Sequence, residues 1–72
     1  MFQFIDGPGG YDLQSTESKQ KYGFLGKCKN TYYAVLCLPV HAEEKFNDIG
    51  DAKQWMLSTL DKNLKDIEAK YN

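Results

Sequence analysis

The 72-residue sequence contains no arginine, since its nine basic residues are all lysines. Arginine supplies the planar fork that reads guanine and grips phosphate at two points, whereas lysine acts on phosphate as a point charge. The sequence therefore disfavours a sequence-specific reader of double-stranded DNA. The formal net charge of −1 argues against a strongly basic nucleic-acid clamp and against a strongly acidic mimic of DNA.

Long apolar runs and cysteine pairs are scarce as well. No stretch of the chain predicts a membrane span, and Met1–Ile5 is too short for the apolar core of a signal peptide. The two cysteines, Cys28 and Cys37, do not make a disulfide framework. These features predict a cytoplasmic protein, and we expect its two thiols to be free and buried or half-buried.

Residues typical of catalytic sites are few. His41 is the only histidine, and one imidazole near Glu43 and Glu44 is neither a catalytic triad nor a metal site. The segment 7–10 is rich in glycine but lacks the lysine and hydroxyl of a phosphate-binding loop, so it predicts a plain turn. We expect no enzymatic activity, no metal site and no cofactor.

The chain has the length and composition of one small domain. An apolar fraction of 42% with 14% aromatic residues is sufficient for a core. A chain of this size buries only about 60% of the surface that it exposes when unfolded, so its stability is marginal. We interpret residues 1–72 as a single domain in which residues 1–46 are mainly β and residues 48–71 form a helix.

Alternation and turn residues predict the strands. Residues 1–5 and 11–15 are candidate strands, and residues 20–28 and 31–38 are the clearest ones because aromatic and β-branched residues dominate the second of them. A turn at residues 29–30, where Asn30 can adopt a positive φ, joins the latter two. This turn predicts that Cys28 faces Thr31 and that Phe24 faces Val35. Residues 41–45 are interpreted as a charged connection.

The last third of the chain predicts one long helix. Asp48 is a good N-cap, and the helix is expected from Ile49 to Tyr71. Its apolar stripe consists of Ala52, Trp55, Met56, Leu60, Leu64, Ile67 and Tyr71. The fold class is α+β, an antiparallel sheet of three to four strands packed against one C-terminal helix. The helix should overhang the sheet, so that its last apolar residues need cover from the N-terminal segment, from a partner or from a second copy in a homodimer.

Period-two alternation divides the central hairpin into two faces. The first carries lysines together with apolar residues: Lys21, Leu25, Lys27, Tyr32, Ala34, Leu36 and Leu38. The second is apolar and is expected beneath the helix: Tyr22, Phe24, Tyr33, Val35 and Cys37. Lysines can simply keep a sheet face soluble and block edge pairing. The leucines on the same face favour a partner-binding surface instead.

The strand Tyr32–Leu36, followed by the spacing of Phe46, Asp48, Asp51 and Trp55, resembles the strand-to-helix junction of small phage and prophage proteins. Over residues 20–60 the layout is similar to that of anti-CRISPR proteins and other small phage inhibitors, and also to the sheet-plus-helix arm-binding domain of phage integrases. The arm-binding domain reads DNA with its sheet and usually uses arginine, which this chain lacks. The resemblance implies a sheet with one helix across it and a role in blocking a host component.

Two functional hypotheses follow. The first is a non-enzymatic, phage-type protein of the host cytoplasm that sterically inhibits a host protein or nucleoprotein complex, such as a CRISPR-Cas or similar defence complex. The second is a small nucleic-acid-binding domain that uses the same lysines. Both use one predicted surface: Lys21, Leu25, Lys27, Lys29, Tyr32 and Leu36.

Overall fold

The computed structural model describes the backbone of residues 1–71 and the side chains of residues 1–67. It consists of five strands followed by one helix: β1 (Phe2–Gly7), β2 (Gly10–Ser15), β3 (Lys21–Cys28), β4 (Thr31–Leu36), β5 (Ala42–Phe46) and α1 (Ile49–Tyr71). Successive strands pair antiparallel, so the order across the sheet is β1-β2-β3-β4-β5. The α+β class, the antiparallel sheet and the C-terminal helix are confirmed. The expected number of three to four strands is wrong by one.

The additional strand is β5, in the segment that was expected to be a charged connection. Its register places Glu44 opposite Ala34 and Glu43 opposite Val35 of β4. Three consecutive charged residues make this segment look like a loop by composition. It forms a strand because an edge position leaves most of it in solvent, where charged side chains are tolerated.

The hairpin between β3 and β4 has the predicted register. Cys28 pairs with Thr31 and Phe24 pairs with Val35, which confirms the two-residue turn at residues 29–30. The positive φ falls on Lys29, at 57°, and not on the asparagine that favours it. Lys29 therefore projects from a turn and not from either face of the sheet.

The helix begins where its cap predicts. The Asp51 N–H donates to Asp48 Oδ2 at 3.1 Å, and the Ala52 N–H donates to the Asp48 carbonyl oxygen at 3.1 Å. The side chain of Asp48 thus satisfies one of the donors that a helix leaves unpaired at its start. The helix spans 23 residues, which is about 34 Å of length.

The helix packs on the face of the sheet opposite to the expected one. The fully buried core consists of Leu13, Leu25, Ala34, Leu36, Ala52, Met56 and Leu60. Leu25 and Leu36 thus lie beneath α1, whereas Phe24, Tyr33 and Val35 lie on the far side of the sheet. The predicted division of the hairpin into a buried aromatic face and an exposed leucine face is wrong.

Side-chain size gives the physical reason. The positions of β3 and β4 directly beneath the helix, Gly23, Leu25, Ala34 and Leu36, are small or aliphatic, so the helix can approach closely. A Cβ added to Gly23 would lie 3.1 Å from Met56 Cε. Aromatic rings at these positions would hold the helix away. The outward positions of β2 carry Asp12 and Gln14, which are costly to bury beneath a helix.

An irregularity in β3 reverses the alternation at one end. Leu13 pairs with Gly23, but the next residue, Gln14, pairs with Lys21, so Tyr22 is an extra residue in β3. Such a β-bulge changes the direction of the side chains that precede it. The Tyr22 ring packs edge-on against Phe2, 5.1 Å between centroids, at the margin of the core.

The predicted apolar stripe of α1 is confirmed from Ala52 to Leu64, and Ile67 is half-buried. Ala52, Met56 and Leu60 are buried, and Trp55 and Leu64 pack at the margin of the core. Trp55 also contacts Phe46 of β5, with ring centroids 5.8 Å apart. The side chain of Tyr71 lies outside the described residues.

Candidate functional site

The face of the sheet opposite α1 is the first candidate for a binding surface. We call it the helix-free face. Strand register assigns to it the side chains of Gln3, Ile5, Asp12, Gln14, Lys21, Phe24, Cys28, Thr31, Tyr33, Val35, Glu43 and Lys45. Within residues 1–71 no element of the structure packs over this face, because the only helix there lies on the other side.

Its apolar residues are Phe24, Tyr33 and Val35 on β3 and β4, and Ile5 on the edge strand β1. Tyr33 is 39% exposed and Ile5 is 37% exposed, while Phe24 and Val35 are half-buried by their neighbours. One row across the sheet contains Ile5, Asp12, Phe24, Val35 and Glu43 in that order. An apolar surface of this kind beside polar residues is typical of an interaction site.

Glycine shapes the row next to it. Gly7, Gly10 and Gly26 occupy consecutive strands beside Tyr33, so these three positions contribute no side chain of their own to the face. A Cβ added to Gly26 would meet Phe24 Cε1 at 2.8 Å, which means that the Phe24 ring lies over this glycine.

Two lysines lie over the aromatic rings of this face. Lys21 Nζ is 5.4 Å from the centroid of Phe24, and Lys45 Nζ is 5.6 Å from the centroid of Tyr33. These distances are within the range of cation–π attraction, about 0.5–1 kcal/mol at exposed sites. Lys21 Nζ also pairs with Asp12 Oδ1 at 3.2 Å. The ammonium groups are thus held against the sheet by neighbouring side chains.

The charges of the helix-free face balance. Lys21 and Lys45 contribute two positive charges, and Asp12 and Glu43 contribute two negative ones.

A shallow cavity of about 380 Å³ lies between β4 and β5, lined by Tyr33, Ala34, Val35, Glu43, Glu44 and Lys45. This face can accept an apolar or aromatic group at its centre and polar groups of either charge at its margin.

A second cavity, of about 400 Å³, lies on the other side of the sheet beyond the first turn of α1. Lys27 and Tyr32 line it together with Tyr11, Asp6 and Ile49. Lys27 Nζ is 5.6 Å from the Tyr32 ring centroid. The predicted neighbours Lys27 and Tyr32 are therefore adjacent, but they face this cavity and not the helix-free face.

The predicted binding surface is consequently divided among four places. Leu25 and Leu36 are 1% and 0% exposed and belong to the core, so their assignment to a partner-binding surface is wrong. Lys29 lies in the hairpin turn, and Lys27 and Tyr32 line the second cavity. Of the six predicted residues, only Lys21 lies on the helix-free face, because the bulge at Tyr22 turns it there.

Sequence reasoning missed Phe24, Tyr33, Val35 and Lys45 as candidate surface residues. The signal that could have identified them is in β2. Asp12 and Gln14 alternate with the buried Leu13, so β2 has one clearly polar face. Because Asp12 pairs with Phe24 of β3, Phe24 lies on the same side of the sheet as that polar face.

Histidine and cysteine form no reactive cluster in the described part of the chain. His41 Nε2 lies 3.9 Å from Glu43 Oε2, with both side chains about two-thirds exposed. Cys28 and Cys37 are free and exposed, so the expectation that they would be buried or half-buried is wrong. Among the described residues, no group of three or more His, Cys, Asp or Glu side chains could hold a metal ion.

No protein-family model matches the sequence, and neither the curated proteins nor the solved structures contain a match. The described part of the chain contains no helix that is long and apolar enough to cross a membrane.

Proposed function

We propose that the chain is a non-enzymatic interaction protein that binds another macromolecule through the helix-free face and inhibits it by steric occlusion. The observation that supports this proposal is a complete sheet face, with Phe24, Tyr33 and Val35 on β3 and β4 and Ile5 at the β1 edge, that no other part of residues 1–71 covers. Interfaces use exposed aromatic residues as anchors because each ring buries a large area at low entropic cost.

The balanced charge of the face favours a protein partner. A nucleic-acid site carries a clear excess of positive charge, whereas Asp12 and Glu43 offset the two lysines here. A protein partner can place carboxylates near Lys45 and donors near Glu43 while it buries the Tyr33 ring. The layout resemblance to small phage inhibitors directs the choice of targets, and we propose a host defence complex in the cytoplasm as the first class to test.

The test compares two matched double variants in pull-downs from host lysate. Tyr33→Ala/Lys45→Ala removes the exposed ring and its cation from the helix-free face. Leu57→Ala/Lys62→Ala makes an equivalent change on α1, where Leu57 is 40% exposed against 39% for Tyr33. We expect a specific host protein to be retained by the wild type and by the helix variant and to be lost by the sheet variant. Equal recovery by the sheet variant would dismiss the helix-free face as the binding site.

A single-stranded nucleic acid is the alternative partner, because the Lys21–Phe24 and Lys45–Tyr33 pairs combine cations with rings on which bases can stack. Two lysine–phosphate contacts predict a salt dependence of about −1.4 in the plot of log K against log [salt]. A gel-shift titration with single-stranded DNA and RNA at low salt tests this function. The absence of any shift under those conditions would eliminate it.

A further inference from the structure

The sheet has an open edge at β1. In an antiparallel ladder, residues alternate between bonded and non-bonded pairs. The Thr16 N–H donates to the Met1 carbonyl oxygen at 2.9 Å, so by alternation Gln3 and Ile5 are the residues of β1 that bond to β2. The backbone N–H and C=O groups of Phe2, Phe4 and Asp6 therefore point away from the sheet, spaced for pairing with another strand.

The two edges of the sheet differ in how they are protected. The other edge, β5, has the consecutive charged residues Glu43, Glu44 and Lys45, which is a common way to prevent pairing. In β1 the only charged residue is Asp6, next to the turn, and the strand has no lysine or proline. A six-residue edge strand with one charged residue, and with Phe2, Phe4 and Ile5 as its apolar residues, is a template for strand addition.

The rings of β1 lie beside the area that α1 covers. The helix packs against β3, β4 and β5, and Phe2 and Phe4 are half-buried at the margin of the core. Lys53 reaches toward them from the helix, with Nζ 5.3 Å from the Phe4 ring centroid. A strand added beside β1 would extend the floor of the sheet, and its own apolar side chains would cover the outer edges of these rings.

We propose that the strand added at this edge is β1 of a second copy of the chain. Antiparallel pairing about a twofold axis at Phe4 places Phe4 opposite the same residue of the second copy and Phe2 opposite its Asp6. No like charges face each other in this register. The alternating apolar residues of each β1 lie beside those of the other β1. The product is a continuous ten-stranded sheet with both helices on one side.

The contact is small. Pairing of two six-residue strands buries less than the ~1,600 Å² of a standard stable interface, so the dimer is expected to be weak and to depend on concentration. It leaves the helix-free face of each copy open and places the two faces side by side. The dimer does not depend on the proposed binding function, and its failure would leave that function untouched.

Two measurements on the wild-type protein test the dimer: light scattering for its mass, and amide hydrogen exchange by NMR for its contact. Both compare samples between about 1 µM and 1 mM, where a weak interface is expected to associate. We expect the mass to rise toward that of a dimer, and protection of the Phe4 and Asp6 amides to rise with it. The Gln3 and Ile5 amides, which already bond to β2, should be protected at every concentration. A monomer throughout this range overturns the proposal. A dimer in which the Phe4 amide stays unprotected also overturns it, because a dimer formed through the end of α1 would leave that amide exposed.

Two lysine variants locate the contact. Ile5→Lys places two ammonium groups on diagonal positions of the paired strands, and we expect it to weaken association by about two- to fivefold. Leu57→Lys makes the same type of change on α1, at 40% exposure against 37% for Ile5, and should leave association unchanged. Equal association of the Ile5→Lys variant and the wild type would overturn the proposal.

Discussion

Lys21 and Leu25 are four residues apart in the same strand, yet they project from opposite faces of the sheet. Leu25 is 1% exposed beneath α1, whereas Lys21 Nζ pairs with Asp12 Oδ1 at 3.2 Å on the helix-free face. Regular alternation would place both on one side. The additional residue Tyr22 accounts for the difference, since it interrupts the pairing of β3 with β2.

The first prediction concerns the two faces of the central hairpin. Leu36→Ala removes a side chain that is 0% exposed and should lower the free energy of unfolding by about 2–5 kcal/mol. Val35→Ala, on the half-buried outer face, should cost clearly less. Urea denaturation followed by circular dichroism measures both. If Val35→Ala were as costly as Leu36→Ala, an element would have to cover the outer face.

The second prediction concerns the close approach of the helix to β3. Gly23→Ala introduces a methyl group 2.5 Å from the Val35 carbonyl oxygen, which cannot move without disturbing the strand, and 3.1 Å from Met56 Cε. We expect a loss of about 1–3 kcal/mol in the free energy of unfolding. Gly7→Ala is the matched control, because its nearest contact would be 4.0 Å away. Equal stability of the two variants would contradict helix packing against Gly23.

The third prediction concerns the start of α1. Asp48→Ala removes the acceptor of the Asp51 N–H and should cost about 0.5–2 kcal/mol of stability. Asp61→Ala removes only the exposed pair with Lys65, at 3.0 Å, and should cost at most a few tenths of a kcal/mol. Thermal melts of the two variants measure the difference. Indistinguishable melting temperatures would show that Asp48 does not cap the helix.

The fourth prediction concerns the thiols. Because Cys28 and Cys37 are both exposed, the native protein should react with a thiol reagent as rapidly as the urea-unfolded chain does. Each single variant, Cys28→Ser and Cys37→Ser, should lose half of the reactive thiol. A native protein that reacts only on the time scale of unfolding would indicate buried thiols.

Local signals in the sequence were sufficient for the helix and for the central hairpin. Asp48 and the spacing of Ala52, Met56 and Leu60 determine where α1 begins and which side it buries, because these features depend on neighbours within a few turns. The turn after Cys28 likewise determines the register of β3 and β4.

The side on which the helix packs could not be predicted from the hairpin alone. Both faces of β3 and β4 carry apolar residues, so the decision depends on the outer strands, where Asp12 and Gln14 mark the polar face. The position of Lys21 depends on a bulge that forms between strands and has no signature within β3 itself. The candidate surface was therefore assigned to the wrong face, although the pairing of its strands was right.

The methyl group of Met56 gives the most direct test of the account, because it lies at the centre of the contact between helix and sheet. Its nuclear Overhauser effects should connect it to the α-protons of Gly23 and to the methyl groups of Leu36, with none to the Phe24 ring or to the methyl groups of Val35. Effects to Phe24 and Val35 in place of Gly23 and Leu36 would put the helix on the other face, and the surface proposed for binding would then be buried.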